Sequence, residues 1–202
     1  MQSKSSWRSR ALVIAVVVLF GALGIATAAT AAVETFHRFE AVATANYTIT
    51  ETCPNGSTVT KRVQVIGGHE EEQEDGVTTL DHDFLTVRLF GFNCDGSFLN
   101  DRGTTNNAEF THSPSLQTAH VSGTLTTNGG RTVTVDVAWD GTGPLEATSN
   151  TTTFDGFTGH FTGMRRDAVA TGTVVVNGQT LVDGSTTNAE IETLEDNNIR
   201  HN

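Results

Sequence analysis

Apolar and polar residues alternate with period two from residue 39 onward, and the same stretch shows no sustained 3.6-residue apolar period. In residues 39–49 the odd positions read Phe39, Ala41, Ala43, Ala45, Tyr47 and Ile49, and the even ones are mostly polar. Such a segment is a strand with one face on a core and the other on water. The same pattern predicts strands over 59–65, 84–94, 97–100, 117–126, 132–139, 157–164, 168–176 and 179–182, with 189–194 closing the set. Asn55-Gly56, Asp95-Gly96, Asn128-Gly129 and Asn177-Gly178 separate consecutive strands. These residue types accept positive φ, so each pair predicts a hairpin turn. Eight to ten hairpin-linked strands must bury their apolar faces, either in a β-barrel or in a two-sheet sandwich. Long neighbouring strands with tight turns favour an all-β antiparallel meander closing into a β-barrel. The β-sandwich is the alternative, because segments 101–116 and 140–156 are long enough to cross between sheets.

The first 31 residues have a different pattern. Lys4, Arg8 and Arg10 precede an apolar run over 11–26, and Ala26-Thr27-Ala28 and Ala29-Thr30-Ala31 follow it. A positive start, an apolar middle and small residues at the end predict a secretory signal peptide over 1–31, cut after Ala31 or alternatively after Ala28. A single all-β domain over 32–202 then remains, ordered over about 38–195. The competing reading is an uncleaved anchor, because residues 11–33 are uncharged and long enough to cross a bilayer. Both readings place the rest of the chain outside the cytoplasm, since the positive flank comes first.

Charge narrows the partners. Removing the leader takes three of the 12 basic residues and none of the 23 acids, leaving 9 against 23, a net −14. A field of that sign repels nucleic-acid phosphates and anionic lipid, so nucleic-acid binding is excluded and a membrane is reached only through an uncleaved leader. A cationic ligand or a metal ion is compatible with it. The two cysteines, Cys53 and Cys94, both lie in the exported part, where disulfides persist. In a meander the turns after the first and third strands lie at one end of the sheet, which brings these cysteines together. A disulfide is therefore expected.

Four segments could carry chemistry. His69-Glu70-Glu71-Glu72-Gln73-Glu74-Asp75-Gly76 is the most charged stretch and reads as a solvated loop, because it lacks the ordered spacing of a calcium site. Asp81-His82-Asp83 places two carboxylates on one face of an extended chain and His82 on the other. Asp81 and Asp83, with His82, are the candidate metal ligands, though the polar entrance of a strand has the same pattern. Residues 153–163 put Phe157, Gly159, Phe161 and Gly163 on one face and His160 on the other. Phe157, His160 and Phe161 are candidate ligand contacts, while a core-filling role is the commoner use of such a strand. Arg165 and Arg166 are expected to pair with nearby carboxylates. No nucleophile elbow, zinc-protease helix, phosphate loop or dinucleotide fingerprint occurs, and no cofactor is expected.

The segments 43–47 (ATANY), 65–72 (VIGGHEEE), 156–163 (GFTGHFTG) and 188–195 (NAEIETLE) resemble uncharacterised secreted proteins of high-GC actinobacteria. The resemblance implies an exported location and carries over no activity or functional residue. The leading expectation is a secreted, non-enzymatic binding or surface-interaction domain. The alternatives are an extracellular enzyme or metal protein using Asp81 and Asp83 with His69, His82 or His160, and a small carrier of an apolar ligand.

Overall fold

The computed structural model describes residues 33–201, all within one compact unit, Val33–Asn202. The signal-peptide and anchor readings concern residues that lie outside the described ones. Ten strands form: β1 (Val33–Thr52), β2 (Thr58–Glu74), β3 (Val77–Phe92), β4 (Phe98–Thr105), β5 (Ala108–His112), β6 (Thr118–Thr126), β7 (Thr132–Gly141), β8 (Glu146–Phe154), β9 (Phe157–Val176) and β10 (Gln179–His201). Every pairing is antiparallel, and all ten belong to one sheet.

The strand order is β4-β3-β2-β1-β10-β9-β7-β6-β5, with β8 beside β9. This is the expected meander, with the first and last strands paired at its centre. The expected barrel does not close. Two residues after β4 the chain swings toward β3 instead of folding back, and there an Asp83 carboxylate oxygen accepts the Phe110 N–H at 2.9 Å. The sheet is therefore open between β4 and β5.

Its two ends still face one core. A Cβ on Gly67 of β2 would lie 2.6 Å from Cβ of Val121 on β6, and one on Gly103 of β4 would lie 2.5 Å from Cδ1 of Leu125. Backbone this close to a facing side chain requires glycine. The Trp139 indole on β7 donates to the Thr44 carbonyl of β1 at 3.0 Å, which satisfies its one polar atom inside the core. Ala41, Ala43, Val63, Val65, Leu85, Val87, Val121, Val133, Val135, Val137, Ala170 and Ile191 complete the core.

Tyr47 is 5% exposed, and its hydroxyl has no hydrogen-bond partner among the described residues. Burial pushes its pKa up to about 12. Tyr47→Phe removes an unsatisfied polar atom and is expected to raise stability by about 1 kcal/mol, read as a higher urea midpoint with unchanged slope.

Three differences from the sequence reading follow from pairing. The acidic run is a strand, because β2 continues through Glu74 in register with β1, and Arg38 meets Glu70 and Glu72 on one face. The segments 157–164 and 168–176 are one strand, β9, as are 179–182 and 189–194 in β10, which absorbs its irregularities as register shifts. The segments 101–116 and 140–156, expected to cross between sheets, contain β5 and β8.

The cysteines form the expected Cys53–Cys94 disulfide, joining the turn after β1 to the turn after β3.

Candidate functional site

The strands β1, β2, β3, β9 and β10 run past the apolar core, and their inner faces change character there. On β1 the inner face reads Ala45, Ala43 and Ala41, all fully buried, then Phe39 and His37, both half-buried. Strand register sets the neighbours. Asp81, Glu71, Phe39 and Glu195 lie side by side across β3, β2, β1 and β10. The next row toward the core is Asp83, His69, Ala41 and Thr193. The next row away from the core contains Gln73, His37, Asn197 and His160. Adjacent strands are about 4.8 Å apart, so the three carboxylates flanking Phe39 share one short strip.

Rings and hydrogen bonds fix this surface. The Phe39 ring centroid is 6.4 Å from that of His69 and 6.1 Å from that of His112, and the His112 and Phe39 rings are stacked. His69 Nδ1 lies 2.9 Å from Asp83 Oδ1, and its Nε2 lies 3.8 Å from Asp81. Asp83 uses its other oxygen for the Phe110 N–H, so it both orients His69 and anchors β5. Gln73 donates to Glu71 at 2.6 Å. The Asn197 amide donates to Glu195 at 3.1 Å, and His37 lies 3.3 Å from the same carboxylate. The Asn197 hydrogen bond, opposed by burial and aided by His37, holds Glu195 below the usual carboxylate range.

The outer face carries a second charged group. Arg38 there meets Glu40, Glu70 and Glu72, while burial raises the Glu40 pKa against the pull of Arg38 and with a push from Glu70.

The sequence-chosen residues separate. Asp81 and Asp83 share the inner face as expected, whereas His82 points outward, paired opposite Glu70 with its ring 6.4 Å from Phe84. The third polar group at the aspartates is His69. Among the described residues, no group of three or more histidine, cysteine, aspartate or glutamate side chains could hold a metal ion.

Phe157 and Phe161 are 38% and 37% exposed on the outer face, so the core-filling reading fails for them. β9 runs beyond the valine layer there, and no other strand among the described residues covers that side. His160 lies on the inner face, 2.9 Å from the Thr151 hydroxyl. That pair is exposed and stands at the edge of the sheet, without an enclosed pocket. Arg165 pairs with Glu190 at 2.6 Å, as expected for the basic spot, and lines a polar groove of about 360 Å³ with Thr44, Asn46, Asp167 and Asn188.

Phe39, His37, Glu71, His112 and Glu195 were not singled out as site residues. Glu71 becomes legible, and His69 takes its expected place beside Asp81 and Asp83, once residues 69–74 are read as a strand, because odd positions of β2 then share one face. Glu195 and His37 become legible only from the β1–β10 register.

No family model matches the chain, and no curated protein matches it. A solved structure of an AttH candidate from Nitrosomonas europaea aligns over 84% of this chain and 52% of its own, with a TM-score of 0.21 and 9% identity. The chain spans about half the length of that protein, and a likeness at this level carries no argument.

Proposed function

We propose that this chain is an exported, non-enzymatic binding domain that takes a cationic partner on the inner face around Phe39. The carrying observation is the cross-strand row Asp81–Glu71–Phe39–Glu195, in which three carboxylates flank an aromatic ring, with histidines beside two of them and no lysine or arginine in the row. Like charges directly opposite each other on neighbouring strands cost stability, and a bound cation would relieve that cost. An aromatic face beside carboxylates also attracts ammonium and guanidinium groups.

Export is supported by the leader pattern and the disulfide, and the actinobacterial resemblance points to the same location. The net charge argues against nucleic acid and anionic lipid. The fold that presents this face is best read as one sheet folded over its own core, nearer to a sandwich than to a barrel.

The test is calorimetric titration of the exported protein with tetralysine at low ionic strength. The Glu71→Gln/Asp81→Asn variant is expected to bind about tenfold more weakly, whereas Asp140→Asn, on exposed β7 surface, leaves affinity nearly unchanged. Equal weakening by both variants would mean attraction to net charge alone and would sink the reading.

A further inference from the structure

An open sheet has edges, and edges expose unpaired backbone N–H and C=O groups that accept another strand. Three of the edges here are blunted. The free part of β3 carries Asp81, His82 and Asp83, and the strand it pairs with has a register shift at Glu72/Gln73. The β4 edge is occupied, because the Asn128 N–H donates to the Arg102 carbonyl at 2.8 Å. β5 has five residues, and the Asp83 carboxylate caps its Phe110 N–H.

β8 has none of these protections. Among the described residues it pairs with β9 alone, in unbroken register over nine residues. It contains no proline, lysine or arginine, and its one charge is at its first residue, Glu146. Thr148, Thr151, Thr152 and Thr153 give it a β-forming sequence. At its far end Phe154 is 75% exposed, more than any other large apolar residue described.

We infer that β8 is a self-association edge, on which β8 of a second copy pairs antiparallel about a two-fold axis. Charge selects this occupant. Two copies of a strongly acidic chain repel over most of their surfaces, but from Ala147 to Phe154 neither copy brings a charge to the contact. An isologous contact also needs a self-complementary strand. The register that overlaps all nine residues places Asn150 on the axis, Ala147 opposite Thr153, and Glu146 against Phe154 of the other copy. This proposal does not rest on the cation-binding reading, which concerns side chains of β1, β2, β3 and β10.

Sedimentation equilibrium of the protein, expressed from the full sequence and recovered after export, tests it. A dimer is expected at about 100 μM. Ala147→Lys/Thr153→Lys sets two lysine pairs against each other across the axis and weakens the dimer at least about tenfold. Ala147→Lys/Thr153→Glu sets opposite charges in the same places and keeps the dimer. Both positions are exposed and have no hydrogen bond to lose, so the second variant controls for folding. A monomer at that concentration, a foreign strand seated on β8, or a dimer indifferent to the lysine pair overturns the inference.

Discussion

Replacing Cys53 and Cys94 together with alanine is expected to lower the free energy of unfolding by about 4 kcal/mol. In the chain-entropy account, a cross-link separated by 41 residues removes about that much freedom from the unfolded chain. Alanine is the right replacement because Cys53 is only 4% exposed, and a serine hydroxyl there would add a desolvation cost of its own. The measurement is urea unfolding with and without reductant. The native protein should lose its advantage in reductant and the variant should be indifferent. The variant's slope should also rise, because its unfolded ensemble is free to expand. A shift under about 1 kcal/mol would mean that the unfolded chain keeps these two turns near each other without the bond.

The second large effect is at Asp101 on β4. Its side chain is 4% exposed and accepts four hydrogen bonds. Thr127 Oγ1 donates at 2.6 Å, Arg131 at 2.7 Å, the Gly129 N–H at 2.8 Å and the Arg102 N–H at 3.0 Å. Thr127, Gly129 and Arg131 belong to the turn between β6 and β7, so this carboxylate fastens β4 to the opposite wall of the core at the place where a ladder is missing. Asp101→Ala leaves a buried hydroxyl and backbone donors without acceptors and is expected to cost about 3–5 kcal/mol.

The pH dependence gives an independent check. Burial opposes the Asp101 charge, but the hydrogen bonds from Thr127, Gly129, Arg131 and Arg102 together outweigh it and hold the pKa below the ordinary 3.8. A carboxylate with a depressed folded pKa contributes its full stabilisation above the unfolded value and loses it as pH falls through the folded one. The stability gap between the native protein and Asp101→Ala should therefore be constant near neutrality. It should narrow once the pH drops below about 3.8. A gap that persists unchanged in strong acid would assign the loss to packing rather than to the charge.

The alternation of Ala41, Ala43, Ala45 and Tyr47, and of Val133, Val135, Val137 and Trp139, was enough to place the core faces of β1 and β7. The Asn-Gly and Asp-Gly pairs placed the hairpins, and with them the cysteines. What could not be read was long-range partnership. Residues 69–74 look like a loop because glutamates are poor strand formers. They are held extended because β1 offers a full-length partner with Arg38 at the matching height. Likewise, Phe157 and Phe161 follow a core-like pattern, and nothing local tells that β9 outruns the layer it packs on. The binding face has the same origin, since its rows join residues more than 100 positions apart, such as Phe39 and Glu195.

That partnership also constrains how the molecule can form. Val33–Ala45 has as its neighbour on one side the stretch Ala189–His201, which the ribosome adds more than about 140 residues later. A nascent polypeptide must therefore carry β1 half-zipped until β10 has been made. A product stopped before Ala189 would leave that side of β1 open, ready to stick to whatever it met.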